Sequence, residues 1–465
     1  MLHLSNVERV HCIGIGGIGL SALAEILIEE GYIVSGSDMQ ESDVTARLIE
    51  KGAQIFLGHR ARNINAADLV VYSSAVHATN PELVAATSNN IPTITRAQLL
   101  GELMARHKYS IAVSGAHGKT TATSMISLVL NDNKMDPTIL VGGNLSEISG
   151  NVRIGKSEYF ITEACEYMDS FLSLSPYYAI ILNIDSDHLD YFGDIDHIIR
   201  SFHEFSRRVP KAGAVVAFDA NPFVSNILRD LDRRIITYGY NDRNDYSARD
   251  IEFNREGRPA FSVIHGGKEL CRIQLGVPGE HNVNNALAAF SCCHDLGVAP
   301  EQIKKTLEAY SGTQRRFDMI GETRDGICII DDYAHHPAEI LVTIEAARKM
   351  PHGNLWVIFQ PHTYTRTMAL HDEFADALET ADKVVLTEIY GAREKNVHQI
   401  SSKSIASLIK KNNPGKEAYY FKDFDDIASF VLNNAERGDL IITMGAGDIY
   451  KVGKAILESD RLAAL

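Results

Sequence analysis

Residues 109–132 read YSIAVSGAHGKTTATSMISLVLND, and this stretch decides the fold. An apolar, β-branched run passes through the glycine-containing SGAHGKTT of Ser114–Thr121 into a helical pattern, which predicts a strand, a tight turn and a helix in succession. Glycines at 115 and 118 let the backbone curl so that amide groups face an anion, and the following helix adds the positive end of its dipole. In that setting Lys119 reaches terminal phosphates and the Thr120 hydroxyl holds a magnesium ion. The standard loop carries glycine where Val113 stands, so this is a shortened form.

On either side the same βα alternation continues. Toward the C-terminus it runs through YFITEA and YAIILNID; toward the N-terminus lie VHCIGIG, the helix-like SALAEILIEEG, YIVSGSD, DLVVYSS and IPTITR. A third series starts near Gly326 with GICIIDD and continues through LWVIFQP, KVVLTEI and LIITMGAG. Alternation of this kind predicts parallel sheets. The segments ARHKYS and YSGTQRR interrupt it, giving three consecutive α/β domains: a Rossmann-like one over 1–107, a central P-loop ATPase domain over 108–312 and a Rossmann-like C-terminal one over 313–465. A length of 465 residues agrees with about three hydrophobic cores.

Composition narrows the function. A formal charge of -15 repels polyanions, so nucleic acid is excluded as a partner while single phosphates remain. The six cysteines show neither a CxxC pair nor a disulfide framework, which fits a reducing cytoplasm. No stretch is long and apolar enough to span a bilayer and none reads as a signal peptide, so no membrane partner is expected.

Two further groups of residues carry chemistry. GIGGIG at Gly14–Gly19 follows a strand and opens a helix, and Asp38 follows the next strand, where a ribose-binding acid is expected. The turn suits any diphosphate, that of a UDP-sugar as well as NAD. ITEACEYMDSF places Glu163 just after a strand, with Glu166 and Asp169 behind it; ILNIDSDHLDYFGD places Asn183, Asp187 and His188 at the end of the next strand. Both strand ends open on the edge that carries the phosphate loop, where such groups can bind the magnesium of a nucleotide.

Taken in order, GIGGIGLSALA, YSSAV, GAHGKTT, EACEYMDSFL with NIDSDHLDYF, GEHNVNNALAA, RRFDMIGE, DDYAHHPAEI, FQPHTYTRT and GAGDIY resemble the Mur ligases over essentially the whole chain. The resemblance implies ATP-dependent joining of an amino acid, L-alanine, to the carboxylate of UDP-N-acetylmuramate. The first domain would hold the UDP-sugar through Gly14, Gly16, Gly17, Gly19, Asp38, Ser73 and Ser74. Gly115, Ala116, His117, Gly118, Lys119, Thr120 and Thr121 would hold the ATP phosphates, with Thr120, Glu163 and His188 around Mg2+. His281, Asn282 and Asn285 would lie at the adenine, Asp331 or Asp332 at the ribose and Arg316 at the γ-phosphate, while Tyr333, His335 and Arg366 would flank the amino acid. Lys119, His188 and Arg316 would be catalytic, in a monomer or homodimer.

Two departures stand out. Thr363 replaces a second arginine that related ligases often carry, leaving the amino-acid carboxylate to Arg366 and other groups, and residues 189–210 contain no lysine, so no carbamylated lysine is expected. Two alternatives stay open: a recycling ligase that attaches a ready-made peptide, and a dehydrogenase using GIGGIG for a nicotinamide cofactor, which leaves the second nucleotide signature unused.

Overall fold

In the computed structural model, which describes residues 4–73, 76–392 and 394–462, each β-branched run is a strand of one of three sheets. The first contains β1 (Arg9–Ile13), β2 (Ile33–Asp38), β3 (Gln54–Leu57), β4 (Leu69–Tyr72) and β5 (Thr93–Thr95). Its order is β3-β2-β1-β4-β5 and every pair is parallel. This is the doubly wound order, in which the order of strand addition reverses between β1 and β4 and opens a crevice at their carboxyl ends. The GIGGIG turn leaves β1 at that edge and leads into the helix Ile18–Glu29.

The second sheet is larger. It contains β6 (Tyr109–Ser114), β7 (Thr138–Leu145), β8 (Gly150–Arg153), β9 (Tyr159–Glu163), β10 (Tyr178–Ile181), β11 (Ala214–Phe218), β12 (Ile235–Gly239), β13 (Tyr246–Phe253), β14 (Pro259–His265) and β15 (Lys268–Gln274). The order is β15-β14-β13-β12-β11-β10-β6-β9-β7-β8. The strand that enters the phosphate loop, β6, lies between β10 and β9, parallel to both. Three carboxyl ends therefore meet at one edge: Ser114 with the loop, Glu163, and the segment after Ile181 that leads to His188.

The third sheet contains β16 (Asp318–Glu322), β17 (Cys328–Asp332), β18 (Leu355–Phe359), β19 (Lys383–Leu386), β20 (Glu417–Tyr420) and β21 (Leu440–Met444), in the order β16-β17-β21-β18-β19-β20. Only β16 is antiparallel to its neighbour. Along β18, Leu355, Val357 and Phe359 belong to one apolar cluster and Trp356 and Ile358 to the other. Both faces of the strand are covered, which is why LWVIF is apolar throughout instead of alternating.

The chain forms two compact units. One comprises Met1–Asp250, Phe261–Ile273 and His281–Ala309; the other comprises Ile251–Ala260, Gln274–Glu280 and Tyr310–Leu465. The first unit holds the first sheet and most of the second, and one apolar cluster runs from Val10 and Leu23 of the former to Phe160 and Ile181 of the latter. No helix of the described residues is long and apolar enough to cross a membrane.

Candidate functional site

The phosphate loop is shaped by two glycines. Gly118 caps the helix Lys119–Asp132 with a left-handed backbone (φ 85°), and no side chain caps that helix end, so its first amides remain directed at the loop. A Cβ at Gly118 would lie 2.4 Å from Oδ1 of Asn285. Gly115, at φ 143°, lies against the backbone of Asn183, where a Cβ would meet atoms at 3.1 Å and 3.2 Å. Asn183 fixes the next turn by accepting from the His117 N–H (2.9 Å) and donating to the His117 carbonyl (3.0 Å). Thr120 is buried in the first helical turn, and Ala116, His117 and Thr121 complete the loop.

Lys119 projects back over this loop. Its ammonium donates to the carbonyls of Gly115 and Ala116 and to both oxygens of Glu166, each 3.1 Å away. Burial, the largest single influence, would lower the Lys119 pKa, but the charge and hydrogen bonds of Glu166 together with the charges of Cys165 and Glu163 outweigh it and hold the ammonium above its usual range. Lys119 is therefore a fixed cation at the helix N-terminus, where a phosphate has to compete with Glu166 for it.

Glu166, Asp187 and His188 bring one ligand atom each within 4.8 Å of one another, a donor set able to hold a metal ion. The His188 Nε2 lies 3.8 Å from Glu166 and 3.6 Å from Asp187, and the ring packs on Tyr167 at 4.7 Å between centroids. His188, Met168 and Asp169 all have φ of about +53° to +54°, a conformation that costs non-glycine residues energy and often marks a functional turn. Glu163 takes a different place from these three: its Oε1 accepts the Gly142 N–H at 2.6 Å, at the end of β9. The two carboxylates suit a hard divalent cation such as magnesium, the imidazole being a less usual ligand for it, and Glu166 is shared between this cluster and Lys119.

His281, Asn282 and Asn285 start the helix His281–Asp295, which packs along the helix behind the phosphate loop. Asn282 and Asn285 are buried, and the Asn285 amide donates to Asn282 Oδ1 at 3.0 Å. Since Asn285 Oδ1 faces Gly118, this pair supports the loop from behind as well as offering side-chain amides. His281, in contrast, is exposed.

In the first sheet, Gly14, Gly16, Gly17 and Gly19 form the expected turn, with Ser73 beside Gly14. Asp38 Oδ2 accepts the Gly16 N–H at 2.9 Å, so Asp38 meets the turn itself. Ser74 lies outside the described residues. Below this edge, buried Glu82 accepts from Ser37 (2.6 Å) and Asn63 (2.6 Å) and lies 3.1 Å from His59 Nδ1 and 3.7 Å from His11 Nε2. Burial pushes the Glu82 carboxyl up, but the contacts of His11, Ser37 and Asn63 outweigh it and hold it at about 2. The network ties β1, β2 and the 59–63 segment to the helix Pro81–Ser88.

The second unit gathers a cationic and imidazole-rich cluster at the carboxyl edge of its sheet. Arg315 and Arg316 both lie over the Tyr333 ring, at 5.0 Å and 5.1 Å. Asp331 accepts from Arg315 Nε (3.0 Å) and Thr443 Oγ1 (2.7 Å). Asp332 accepts the N–H groups of Phe317 and Ala334 at 2.7 Å each, and burial raises its carboxyl to about 6 against the pull of Arg316. His335 lies 5.4 Å from the Tyr333 ring and 5.9 Å from that of His362. Burial lowers both imidazoles, His362 to about 4, so each is neutral at pH 7. Arg366, two residues into the helix Tyr364–Ala369, keeps a buried Nη1 without a hydrogen-bond partner among the described residues. An anion-binding group beside two neutral imidazoles suits the carboxylate and amine of an amino acid.

The sequence motifs did not single out His362 or Arg315. The HTYTR context was the available signal for His362, whereas Arg315 takes its meaning from packing alone.

Three family models match the chain: the Mur ligase catalytic domain over residues 9–108, the Mur ligase middle domain over 113–293 and the Mur ligase glutamate ligase domain over 315–447. A UDP-N-acetylmuramate–L-alanine ligase of Acetivibrio thermocellus is 50% identical over 100% of this chain and 99% of its own. One from Caldanaerobacter subterraneus is 48% identical over 99% of each. Among solved structures, a UDP-N-acetylmuramate-alanine ligase of Thermotoga maritima superposes with TM-score 0.82 at 32% identity, covering 98% of this chain and 99% of that one. A murein peptide ligase of Psychrobacter arcticus gives 0.74 at 26% identity, covering 97% and 98%.

Proposed function

The chain belongs to the Mur ligase family, and from that premise we propose that it joins L-alanine to the lactyl carboxylate of UDP-N-acetylmuramate, with ATP converted to ADP and phosphate. The observation that carries the reading is the half-buried Lys119 ammonium at the uncapped helix N-terminus, beside the Glu166, Asp187 and His188 cluster. The alanine ligases of Acetivibrio and Caldanaerobacter, similar over their full length, support alanine over a peptide as the acceptor.

A carboxylate resists attack by an amine because of its charge and resonance. Transfer of the γ-phosphoryl group to it gives an acyl phosphate, which the neutral amine attacks through a tetrahedral intermediate, and phosphate leaves. Lys119 would neutralise charge on the transferred group and Arg316 would add a second cation. Glu166, Asp187 and His188, with Thr120 and the expected Glu163, would hold Mg2+; when bound, the ion screens the phosphates from the carboxylates. Tyr333, His335 and Arg366, now with His362, would receive the amino acid, the neutral imidazoles adding no further positive charge beside its amine. His281, Asn282, Asn285 and Asp331 or Asp332 would receive the nucleoside of ATP, and Gly14 to Gly19 with Asp38, Ser73 and Ser74 the UDP-sugar. In this reading the domains run over 1–107, 108–312 and 313–465, and the protein works in the cytoplasm, where thiols such as its six cysteines stay reduced.

Phosphate release from ATP, followed with UDP-N-acetylmuramate and a panel of amino acids and peptides, tests the assignment. L-Alanine should give the highest kcat/KM; a tripeptide giving it would move the protein to recycling, and turnover with no acceptor at all would remove it from this class. A titration with NAD(P) should give no binding, which separates it from a dehydrogenase.

A further inference from the structure

Arg96 is the first residue of the helix Arg96–Met104, and its place is fixed by contacts at the start and in the middle of that helix. At the start, Thr95 and Gln98 form a capping box: the Gln98 N–H donates to Thr95 Oγ1 at 3.2 Å and the Thr95 N–H to Gln98 Oε1 at 2.8 Å. In the middle, Gly101 lets the helix backbone meet the Ser173 carbonyl, to which a Cβ would come within 2.2 Å. Ser173 ends the 3-10 helix Tyr167–Ser173 that continues directly from Glu166. The helix that carries Arg96 is thus packed against the turn that carries the acidic cluster, and both belong to one compact unit.

The Arg96 side chain turns toward the other phosphate-binding turn. A Cβ on Gly19 would lie 3.2 Å from Arg96 Nη1 and 3.3 Å from its Cδ, so the guanidinium lies across the first turn of the helix that GIGGIG opens. Asn151, buried, reaches the same place and donates to the Ile18 carbonyl at 3.4 Å. Arg96 is half-buried, and its guanidinium makes no hydrogen bond or ion pair with any described residue. Its charge is felt at Cys165, the neighbour of Glu166. A guanidinium with five donors, held at a helix N-terminus and without an acidic partner, is matched to a phosphate oxygen pair, which it binds through two parallel hydrogen bonds.

We propose that Arg96 is a substrate-positioning residue that grips the diphosphate of the UDP-sugar beside the glycine turn, orienting the sugar that follows it toward Lys119. The inference rests on the assignment of GIGGIG to that diphosphate and adds to it a residue outside the glycine motif. The carboxylate to be activated is separated from the diphosphate by the sugar ring and the short lactyl ether, so a clamp at this point limits the directions in which that carboxylate can travel. Removing the clamp should weaken ligands that carry the diphosphate and spare those that lack it.

Isothermal titration of wild type, Arg96→Lys and Arg96→Ala with UDP-N-acetylmuramate, UDP and uridine tests this, with circular dichroism to establish that each variant is folded. Arg96→Ala should bind UDP-N-acetylmuramate and UDP about 10- to 100-fold more weakly, with uridine binding unchanged and KM for ATP within about twofold of wild type. Arg96→Lys should recover part of the loss, since a point charge replaces a fork. Unchanged UDP affinity in Arg96→Ala, or an equal loss for uridine, overturns the proposal, the latter because it assigns Arg96 to the fold of the site alone. Failure of the wild type itself to bind any uridine nucleotide would instead remove the functional reading on which the proposal stands.

Discussion

Among single residues, Lys119 has the clearest consequence. Its ammonium is held between two loop carbonyls and Glu166, so removing it leaves the glycine-shaped turn in place and takes away the cation. Lys119→Ala should retain the far-UV spectrum of the wild type and lose at least ~100-fold in kcat. Near-normal turnover would detach the loop from catalysis. Glu82 makes a statement about stability and pH. Its folded-state carboxyl is held at about 2 against an ordinary value of 4.5, so its contribution is present in full above 4.5 and is lost as pH falls toward 2. The stability gap between wild type and Glu82→Gln, read from urea midpoints, should therefore narrow between pH 6 and pH 3; a gap independent of pH would mean that the carboxylate charge is immaterial.

At the scale of elements, the helix Arg96–Met104 depends on an absent side chain. Gly101→Ala directs a Cβ at the Ser173 carbonyl, a backbone atom that cannot rotate away, and the strain should cost about 1–3 kcal/mol. Thermal unfolding should show a clear drop in Tm, with a rise in KM for the UDP-sugar because the helix shifts with respect to the glycine turn. An unchanged Tm would mean that the contact relaxes at no cost. Thr363 is the converse case. It holds φ 69° and ψ 144° at the entry to the helix Tyr364–Ala369, a conformation that a β-branched residue adopts only under constraint. Thr363→Gly should relieve that strain and raise stability by up to about 1 kcal/mol, while loosening Arg366 and raising KM for the amino acid.

Across the whole molecule, the sheets were legible and the site was legible in pieces. Runs such as LWVIF and YSIAVS are continuous because both faces of their strands are covered, and SGAHGKTT lies where strand-turn-helix logic places it. Parallel pairing of β6 with β9 and β10 then brings Glu166, Asp187 and His188 to the loop, as their positions at successive strand ends implied. Spacing did not reveal that Glu166 takes the place at Lys119 while Glu163 turns to the Gly142 amide, because residues three apart in a non-helical turn have no fixed common direction. Arg96 was illegible for a related reason: it is a helix-start arginine until Gly19 is seen beneath it.

Turnover in this scheme depends on the central domain using ATP to phosphorylate a carboxylate held by its neighbour. The most direct measurement supplies UDP-N-acetylmuramate labelled with 18O in that carboxylate, with ATP, Mg2+ and L-alanine, and determines the isotope in the released phosphate by mass spectrometry. One labelled oxygen should pass from the sugar to each phosphate formed. Phosphate released in step with product but free of the label would contradict it.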